Sequence, residues 1–541
     1  MATISNISTK YKDIISKSSQ ISSGSPARYQ LRPKTERIGT LTRKTVGEKN
    51  PNKINKTILL VGERGTGKST LINTLVNYAM GVEFDDDIWF EIVEEKRSQT
   101  ESQTSDVIVY EIFDFKENTL PYSLTIIDTP GYGDTRGIEH DLFLSQRLLD
   151  LFSSEEGVHE MNVVGLVLKA TENRLSDRLR YVFDSVVSLF GKDMENNIVA
   201  LITHSDGIKP ENVLQAVGAV KIKCSKNEDN EPVHFLFDNQ QSTQRTEETQ
   251  LGLENGWKVT MGGLGQFTDF LKTSRPQKLV TTVEVLHERI RLTACIQNLQ
   301  ERIGLIELKQ TEIKQTKEAL EKHEHKMKKN KDFTVEVDEV YKGKETISGG
   351  MWWLFFYEGA VTCKVCEENC HYPGCRMAWS PGLCEVMKGG RCTVCTKKCP
   401  ASDHVKENWI YDNKTRKVQR TLQDMKDKYE ENKAESEKKS SLLENLEKEM
   451  KELTDNKDQF LEESYQHVVR LEQIALNVDS LSTHVHLDFL TEKTKERGDT
   501  EKVQKLEEMR NRVDEATRAG LQYMFGKITA AGKAVKEMIS K

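Results

Sequence analysis

The amino-acid sequence predicts an α/β domain, then a long α-helical stalk that carries a small cysteine-rich insert, and finally a C-terminal helical segment. Three patterns in the 541 residues lead to this fold class. Apolar, strand-like runs alternate with helical segments up to residue 275, and apolar residues recur every three or four positions after residue 277. Eight of the ten cysteines lie between Cys363 and Cys399.

The first motif of the α/β domain is the run Gly62-Glu63-Arg64-Gly65-Thr66-Gly67-Lys68-Ser69, which follows the apolar run Ile58–Val61. In such a P-loop, backbone N–H groups surround a β-phosphate, while Lys68 neutralises the β- and γ-phosphates and Ser69 ligates Mg²⁺. A helix that begins near Thr70 directs its positive end at the nucleotide. The predicted phosphate-binding residues are Gly62, Arg64, Gly65, Thr66, Gly67, Lys68, Ser69 and Thr70.

A second motif ends the apolar strand that begins at Leu124. Its sequence is Asp128-Thr129-Pro130-Gly131, in which Asp128 holds Mg²⁺ through a water molecule and the Gly131 amide senses the γ-phosphate. A polar segment lies between the two motifs, and a threonine there supplies a hydroxyl to Mg²⁺. We favour Thr104 over Thr100 because Thr104 lies next to the following strand.

A third motif, Thr203-His204-Ser205-Asp206, follows the apolar strand Ile198–Ile202. A carboxylate there accepts both the N1–H and the N2 amine of guanine, which adenine does not offer, so Asp206 favours GTP over ATP. His204 is expected to stack on the base. Taken alone, such an aspartate is more often a helix cap or a turn residue. Asn239, after the last strand of the domain, is expected to close over the base.

The motifs GERGTGKST, SQTSDVIVY, DTPGYGDTRG, ITHSDG and FLFDNQQ together resemble the septin-related GTPases, which include the immunity-associated GTPases and the chloroplast import receptors. The resemblance covers about residues 56–275 and implies a septin-like P-loop GTPase domain. In the immunity-associated group an asparagine after the final strand contacts guanine, which supports Asn239. The closest resemblance is to animal proteins, common in fish, in which such a domain precedes a coiled coil and a cysteine-rich segment. It implies a fold more than a function.

The second motif departs from Ras-like enzymes in a way that bears on catalysis. Tyr132 follows Gly131, and no glutamine stands where Ras-like enzymes orient the attacking water, so slow intrinsic hydrolysis is expected. The resemblance implies that G domains pair and that a partner subunit completes the site. Arg64 is positioned to reach a γ-phosphate within one chain or across a dimer, although a side chain there more often points to solvent. The predicted catalytic residues are Lys68, Thr104, Gly131 and Arg64.

The stalk is predicted from two heptad seams. The first runs through positions 292, 296, 299, 303, 306, 310, 313, 317 and 320, and the second runs from 422 to 460. Because two seams of similar length flank one insert, an antiparallel hairpin about 75 Å long is favoured. A parallel dimer of two copies is the alternative that seam spacing leaves open.

The insert contains two Cys-x2-Cys knuckles, each followed by another cysteine and a nearby histidine. Soft ligands at this spacing favour tetrahedral zinc with a structural role over disulfides or free thiols. Two ions are expected, and the grouping is open because ten candidates exceed the eight ligands that two ions need. These candidates are Cys363, Cys366, Cys370, His371, Cys375, Cys384, Cys392, Cys395, Cys399 and His404.

Segments that begin at Phe333 and Trp409 are expected to be strands that bracket the insert, which lies at the tip of the stalk. The aromatic run Met351–Tyr357 is expected to pack on the metal knot, with a membrane or partner contact at the tip as the alternative. Cys224 and Cys295 stand alone and are assigned to packing.

The predicted domains are a flexible basic arm at 1–55, the septin-like G domain at 56–275, coiled-coil helices at 276–332 and 416–475, the zinc module with its flanking strands at 333–415, and C-terminal helices at 476–541. Residues 1–56 contain twelve Lys or Arg and three Asp or Glu, and they are read as a solvated tail, with contact to anionic lipid or RNA as the alternative. The net charge of −7 gives no reason to expect specific nucleic-acid binding. No apolar run reaches the roughly 18 residues of a membrane span, and a cytoplasmic location is predicted.

These patterns predict a GTP-binding switch or assembly factor that uses GTP, GDP, Mg²⁺ and Zn²⁺. It is expected to hydrolyse GTP slowly, to form homo-oligomers through the G domain or the coiled coil, and to contact a protein partner or a membrane surface at the stalk tip. A scaffold that binds GTP without hydrolysing it is the alternative. A Rad50-like ATPase with a zinc hook is rejected because residues 476–541 contain neither a second acidic strand nor a Ser-Gly-Gly signature.

Overall fold

A computed structural model of the chain describes residues 10–38, 41–94, 106–113, 120–130, 138–171, 183–184, 186–219, 223–329, 334–347, 351–352, 356–357, 359–372, 375, 378, 380–421, 442–478 and 481–511. The chain divides into two compact units. The first comprises residues 1–286, 474–485 and 509–541, and the second comprises residues 287–473 and 486–508.

The first unit is an α/β domain. Its strands are β1 (Ser19–Ser22), β2 (Ala27–Gln30), β3 (Lys34–Ile38), β4 (Leu41–Val46), β5 (Asn55–Val61), β6 (Ile88–Glu91), β7 (Ile108–Ile112), β8 (Ser123–Asp128), β9 (Glu160–Met161), β10 (Val163–Lys169), β11 (Ile198–Thr203), β12 (His234–Leu236) and β13 (Gln277–Lys278). Its described α-helices are α1 (Lys12–Ser16), α2 (Lys68–Ala79), α3 (Ile138–Ser153), α4 (Glu211–Ala219) and α5 (Gln250–Thr273).

The main sheet has the strand order β12-β11-β10-β5-β8-β7-β4-β3. The strands from β12 to β8 run parallel, whereas β7 is antiparallel to β8 and β3 is antiparallel to β4. The central strands β5, β8 and β11 are buried almost throughout, which explains their continuous apolar sequences. The carboxyl ends of these parallel strands meet at one edge of the sheet, where ligands bind in such folds.

The N-terminal segment differs from the predicted flexible arm, since residues 10–38 and 41–50 are folded onto the domain. Strand β4 pairs in parallel with β7, while β1 and β2 form a second sheet with β6. Tyr11 is buried, and its hydroxyl donates to the Gly81 carbonyl and to Asp86 Oδ2, both at 2.9 Å. The Ser, Thr and Lys content of this segment suits a sheet edge, where backbone pairing and a few apolar residues such as Leu41 suffice.

The second unit contains most of α6 (Val280–Lys329), α7 (Leu442–Ile474), α8 (Leu481–Arg497) and α9 (Thr500–Asn511). The parts of these helices that belong to the first unit are residues 280–286, 474, 481–485 and 509–511. Its strands are β14 (Thr334–Thr346), β15 (Met351–Trp352), β16 (Phe356–Tyr357), β17 (Ala360–Cys363), β18 (Glu368–His371), β19 (Met387–Lys388), β20 (Arg391–Cys392), β21 (His404–Glu407) and β22 (Trp409–Thr421). The two strands expected to bracket the insert are β14 and β22, which pair antiparallel along their full length. None of the helices in the described ranges is long and apolar enough to cross a membrane.

Helices α6 and α7 run antiparallel within one chain, as the favoured hairpin requires. As the residue number increases along α6, the number of the contacting residue in α7 decreases. The polar side-chain contacts that define this order are Glu288 with His467 at 2.6 Å, Lys309 with Glu449 at 3.3 Å, and Lys317 with Glu447 at 2.7 Å. Residues 422–441, which contain the start of the second seam, lie outside the described residues.

The first seam is correct as far as Leu299 and is displaced by one residue beyond it. The buried residues farther along α6 are Arg302, Leu305, Lys309, Glu312 and Thr316. The reason is a second neighbour, since β14 also packs on this helix. Gln315 Nε2 donates to Asp338 Oδ2 at 3.0 Å, and Glu312 Oε2 accepts the Val340 N–H at 3.3 Å. Polar residues can be buried on this side of α6 because the polar groups of β14 form hydrogen bonds with them.

The cysteine-rich module does not lie at the tip of the stalk, so that expectation is wrong. Asn298 Nδ2 donates to the Asn369 carbonyl at 2.7 Å, and Arg302 forms a buried ion pair with Glu368. Helix α6 continues about 40 Å past Arg302, at about 1.5 Å per residue. The ribbon of β14 and β22 accounts for the position, because β14 carries the chain back along α6 before the first cysteine.

The described C-terminal helices pack in part on the stalk. Lys502 in α9 donates to Glu462 of α7 at 2.6 Å, and Thr293 of α6 lies 3.2 Å from the His486 ring nitrogen in α8. Residues 512–541 lie outside the described part of the chain.

Candidate nucleotide and metal sites

The P-loop joins β5 to α2 at the sheet edge where the parallel strands end. Gly65 and Gly67 have φ angles of +82° and +87°, a region that glycine adopts without strain. A Cβ atom at Gly62 would lie 2.5 Å from the Val167 carbonyl oxygen. Each of these glycines is therefore required by the backbone of the loop. Ser69 and Thr70 follow in the first turn of α2, half-buried.

Lys68 is buried, and its ammonium lies against the loop's own backbone. Its Nζ donates to the carbonyl oxygens of Gly62 at 2.7 Å and Glu63 at 2.9 Å. Burial lowers the pKa of Lys68 to about 8, while the negative charges of Asp128 and Glu63 act in the opposite direction. The ammonium is thus largely retained at neutral pH at the point where phosphates are expected.

Asp128 ends β8 and is buried next to the P-loop strand. The Thr129 hydroxyl donates to the Leu60 carbonyl at 2.8 Å, which fixes the end of β8 against β5. Asp128 ends β8, and Ser69 lies in the first turn of α2, which follows the neighbouring strand β5, so both residues lie at one sheet edge, as the predicted Mg²⁺ site requires. The other residues assigned to the γ-phosphate and Mg²⁺, Thr104 and Gly131, lie outside the described residues, as does Tyr132.

Thr203, at the end of β11, is hydrogen-bonded directly to the P-loop. Its hydroxyl donates to the Thr66 carbonyl at 2.7 Å and also lies 3.0 Å from the Leu168 carbonyl. The next residue, His204, has a φ angle of +54°. Burial lowers the pKa of His204, the nearby Lys169 lowers it further, and Asp238 opposes both. A neutral imidazole at physiological pH is compatible with the predicted stacking on a base.

Asp206 is exposed, and its carboxylate is held by a turn. Its Oδ1 accepts the backbone N–H of Ile208 at 2.9 Å, while the N–H of the buried Ser205 donates to the Phe237 carbonyl at 3.0 Å. This hydrogen bond to the backbone fixes the orientation of the Asp206 carboxylate. The motif loop is also anchored to the end of β12 and to its neighbour β11.

Asn239 contacts the P-loop, although it was predicted only to close over the base. Its Nδ2 donates to the Gly67 carbonyl at 3.3 Å, and its φ angle is +63°, a conformation that asparagine tolerates. Its Oδ1 is buried without a hydrogen-bond partner among the described residues. This side chain therefore faces the same loop as Thr203 from the adjacent strand end.

Two residues at this edge were missed by sequence reasoning. The sequence analysis assigns no role to Thr203, the first residue of the third motif, and its hydrogen bond to the P-loop was not predicted. Lys169 ends the otherwise apolar β10, and its Nζ lies near both the His204 ring and Gly65. A charged residue at the end of an apolar strand was the available signal. Arg64, proposed as catalytic, is exposed.

The second unit brings the predicted metal ligands together in three groups. Within each group, the candidate ligand atoms all lie within 4.8 Å of one another. The groups are Cys363, Cys366, Cys395 and Cys399; Cys370, Cys392, Cys395 and His404; and His371, Cys375, Cys384 and Glu385. The sheet β18-β17-β21 positions several of these ligands by placing three short strands side by side. Glu385 was not predicted from the sequence.

The cysteine groups have the local geometry of metal-binding knuckles. Backbone N–H groups donate to Cys363 Sγ at 3.3 Å, to Cys392 Sγ at 3.3 Å and to Cys395 Sγ at 3.2 Å, which favours thiolates at these positions. All ten cysteines are free of disulfides. The other two, Cys224 and Cys295, are buried, and burial raises the pKa values of their thiols to about 11 and about 12.

His404 has the arrangement of a histidine ligand. Its Nδ1 lies 2.9 Å from the Pro400 carbonyl, so Nδ1 carries the proton and Nε2 keeps its lone pair. Nε2 is buried and has no hydrogen-bond partner in the described ranges. A buried acceptor that faces thiolates fits a soft divalent cation such as Zn²⁺.

A sequence model of the septin family matches residues 52–142, a segment that contains the P-loop and the Asp128 motif. The solved structures that resemble the chain include Toc33 from Arabidopsis thaliana as a dimerisation-deficient mutant, with 15% identity over 52% of this chain and 96% of that chain and a TM-score of 0.31. The structure of Toc33 with GDP and Mg²⁺ has 15% sequence identity over 42% of this chain and 88% of that chain, with a TM-score of 0.30. The structure of Toc33 with Mg²⁺ and GMPPNP has 16% identity over 42% of this chain and 88% of that chain, with a TM-score of 0.29. No curated protein sequence matches the chain.

The first unit is an α/β domain with a P-loop at the carboxyl edge of its main sheet, and part of this domain is similar to the septin family. The matched segment is a minor part of the chain. The described fold extends the domain at both ends, since β3 and β4 precede the match and β10 to β12 follow it.

Proposed function

We propose that the protein binds GTP and GDP with Mg²⁺ and acts as a slowly hydrolysing nucleotide switch or assembly factor. The observation that carries this proposal is the bond from Thr203 to Thr66, which holds the base-reading loop against the phosphate-binding loop. A purine nucleotide bound by the P-loop would then extend its base toward the end of β11.

Each part of the nucleotide has a proposed partner. Lys68 binds the β- and γ-phosphates, while Ser69 and Asp128 hold Mg²⁺. We assign Thr104 to Mg²⁺ and Gly131 to the γ-phosphate on the sequence motifs alone. Asp206 reads the guanine N1–H and N2 amine, His204 stacks on the ring, and Asn239 closes the base side of the site.

Hydrolysis is proposed to be slow, because Tyr132 stands in place of a glutamine. Pairing of two G domains would complete the site, with Arg64 as the residue that reaches across the interface. The exposure of Arg64 supports this role over one within its own loop. The alternative is a scaffold that binds GTP for structure. A single-turnover rate that rises with protein concentration favours the paired enzyme, and a background rate at all concentrations favours the scaffold.

The cysteine-rich module is proposed to bind structural zinc. Its donor set is soft and buried, and a short segment of this kind needs a metal in place of a core. Thiolate ligands require a reducing compartment, which supports a cytoplasmic location. Because the module lies beside α6, zinc would stabilise the middle of the stalk. The far end of the stalk is then the proposed contact for a partner protein or a membrane surface.

The base-reading assignment is tested by calorimetric binding of GTP, GDP and ATP to the full chain and to the Asp206→Ala variant. We expect the wild type to prefer GTP and the variant to lose about 10- to 100-fold in GTP affinity, the loss of two hydrogen bonds to a charged group. Asp229→Ala is the control, since Asp229 is an exposed aspartate in another loop of the same domain. Equal binding of GTP and ATP by the wild type would show the assignment to be wrong.

A further inference from the structure

The three ligand groups do not divide into two separate sites of four ligands. Cys395 belongs to both the first and the second group, so those two groups contain seven different residues. The three remaining predicted ligands, His371, Cys375 and Cys384, form the third group with Glu385. The geometry thus accounts for all ten predicted ligands and adds one carboxylate.

We propose that the module binds three zinc ions, with Cys395 as a thiolate bridge between two of them and Glu385 as the fourth ligand of the third. This inference rests on the proposed zinc-binding role of the module. It replaces the expectation of two ions, which followed from counting two knuckles.

The third group has the spacing of a tetrahedral site. The sulfurs of Cys375 and Cys384 are 3.8 Å apart, and two thiolates on one zinc ion at about 2.3 Å are separated by about 3.8 Å. His371 Nδ1 lies 3.2 Å from Cys384 Sγ and 3.2 Å from Glu385 Oε2. All four side chains are buried or nearly so.

An ion pair between His371 and Glu385 is the alternative reading of this group. Such a pair explains the contact between the ring and the carboxylate. It does not explain why the sulfurs of Cys375 and Cys384 lie 3.8 Å apart beside the same ring and carboxylate. A thiol–carboxylate hydrogen bond accounts for the 3.5 Å contact of Cys384 Sγ with Glu385 Oε2, but it does not bring in Cys375.

The shared position of Cys395 is explained by charge as well as by distance. Cys366 Sγ and Cys399 Sγ are 3.7 Å apart, again the edge of a tetrahedral thiolate site. Six thiolates and one neutral imidazole carry six negative charges in a buried volume. One zinc ion would leave four of these charges and two ions leave two, so the second ion lowers the cost of burial. With seven ligands available, two four-coordinate ions must share one of them.

Metal counting by native mass spectrometry of the zinc-loaded full chain tests this inference. We expect three zinc ions in the wild type, two in Glu385→Gln and three in the control Glu407→Gln, which alters an exposed glutamate of β21. Two ions in the wild type, with no change in Glu385→Gln, would overturn the third site. Absence of zinc from the wild type would overturn both this inference and the structural zinc role, while GTP binding, measured separately, would remain as proposed.

The Cys395 bridge is tested by a separate measurement on the wild-type chain. The Cys395→Ser variant is not suitable, because we expect it to lose two zinc ions, and a chain without them can fail to fold. Cobalt(II) replaces zinc in tetrahedral thiolate sites and is paramagnetic, and a shared thiolate couples the spins of two ions. In the wild-type chain loaded with three cobalt ions, we expect the electron paramagnetic resonance intensity per ion to be reduced to about one third. The full intensity of three independent ions would overturn the bridge.

Discussion

The hydroxyl of Thr203 donates a 2.7 Å hydrogen bond to the carbonyl oxygen of Thr66, so the first residue of the Thr203–Asp206 motif is attached to the P-loop. Both residues are buried. We therefore expect a shift of the P-loop to displace the start of the loop that carries Asp206.

Thr203→Val tests this coupling. The substitution keeps the shape and removes the donor, which leaves the Thr66 and Leu168 carbonyls without it at a cost of about 1–3 kcal/mol. We expect a lower melting temperature and GTP affinity reduced by about tenfold, measured by calorimetry. Thr273→Val is the control, because Thr273 is exposed at the end of α5. Unchanged affinity in Thr203→Val would mean that the two loops act independently.

Nucleotide affinity should depend on the protonation of Lys68. Its pKa is lowered to about 8 by burial, so the free protein loses the ammonium as pH rises through that value. Bound phosphate favours the charged form, so GTP affinity should hold near pH 7 and fall above pH 8, with proton uptake on binding. Calorimetry in buffers of different ionisation enthalpy measures this uptake.

The matching control for that dependence is Lys68→Met, which should bind weakly and without the fall above pH 8. An affinity of the wild type that stays constant up to pH 9.5 would contradict the lowered pKa. The pH dependence of folding stability has the opposite sign to that of GTP affinity. The unfolded chain holds this proton up to a higher pH, so the cost of burying Lys68 declines as pH rises from about 8 toward its ordinary value.

The positions of the P-loop and of Asp128 at the sheet edge could be predicted from the sequence because their motifs are local. Glycine spacing and the strands before and after fix the positions of Lys68 and Asp128 with little help from distant residues. The interaction of Thr203 with Thr66 joins residues far apart in the chain, and no local pattern specifies it. The same applies to Asn239, whose contact with the P-loop depends on strand order.

The stalk was predicted less well, for a physical reason. A heptad seam assumes one helical neighbour, and it holds up to Leu299, but β14 adds a second neighbour from Arg302 onward. The return of the chain along α6 also moved the cysteine-rich module from the expected tip. Glu385 was not predicted as a ligand because a single acidic residue beside Cys384 does not form a recognisable metal-binding motif.

The buried pair of Arg302 and Glu368 should hold the module to α6. Its two side chains are 9% and 4% exposed, and Thr396 also donates to the same carboxylate. Arg302→Met would leave that carboxylate buried with reduced partners, which costs roughly 3–5 kcal/mol. We expect a clear fall in the urea midpoint of the zinc-loaded chain.

Lys317→Met provides the matched control for that substitution. Lys317 pairs with Glu447 across the two helices, but both side chains are about half exposed, at 49% and 54%. Water screens such a pair, so its loss should leave the urea midpoint nearly unchanged. Equal midpoints for the two variants would show that the buried pair is no more important than the exposed one.

Removal of zinc should unfold the module and leave the nucleotide site intact. The ligands belong to the second unit, whereas the P-loop, Asp128 and Asp206 belong to the first. A zinc-selective chelator, used with Mg²⁺ in excess, should therefore lower the melting temperature of the stalk and expose thiols to a labelling reagent, while GTP affinity changes less than about twofold. Magnesium-selective chelation is the control, since it should weaken GTP binding without exposing thiols. Loss of GTP binding together with zinc would contradict this expectation and would mean that the nucleotide site depends on the module.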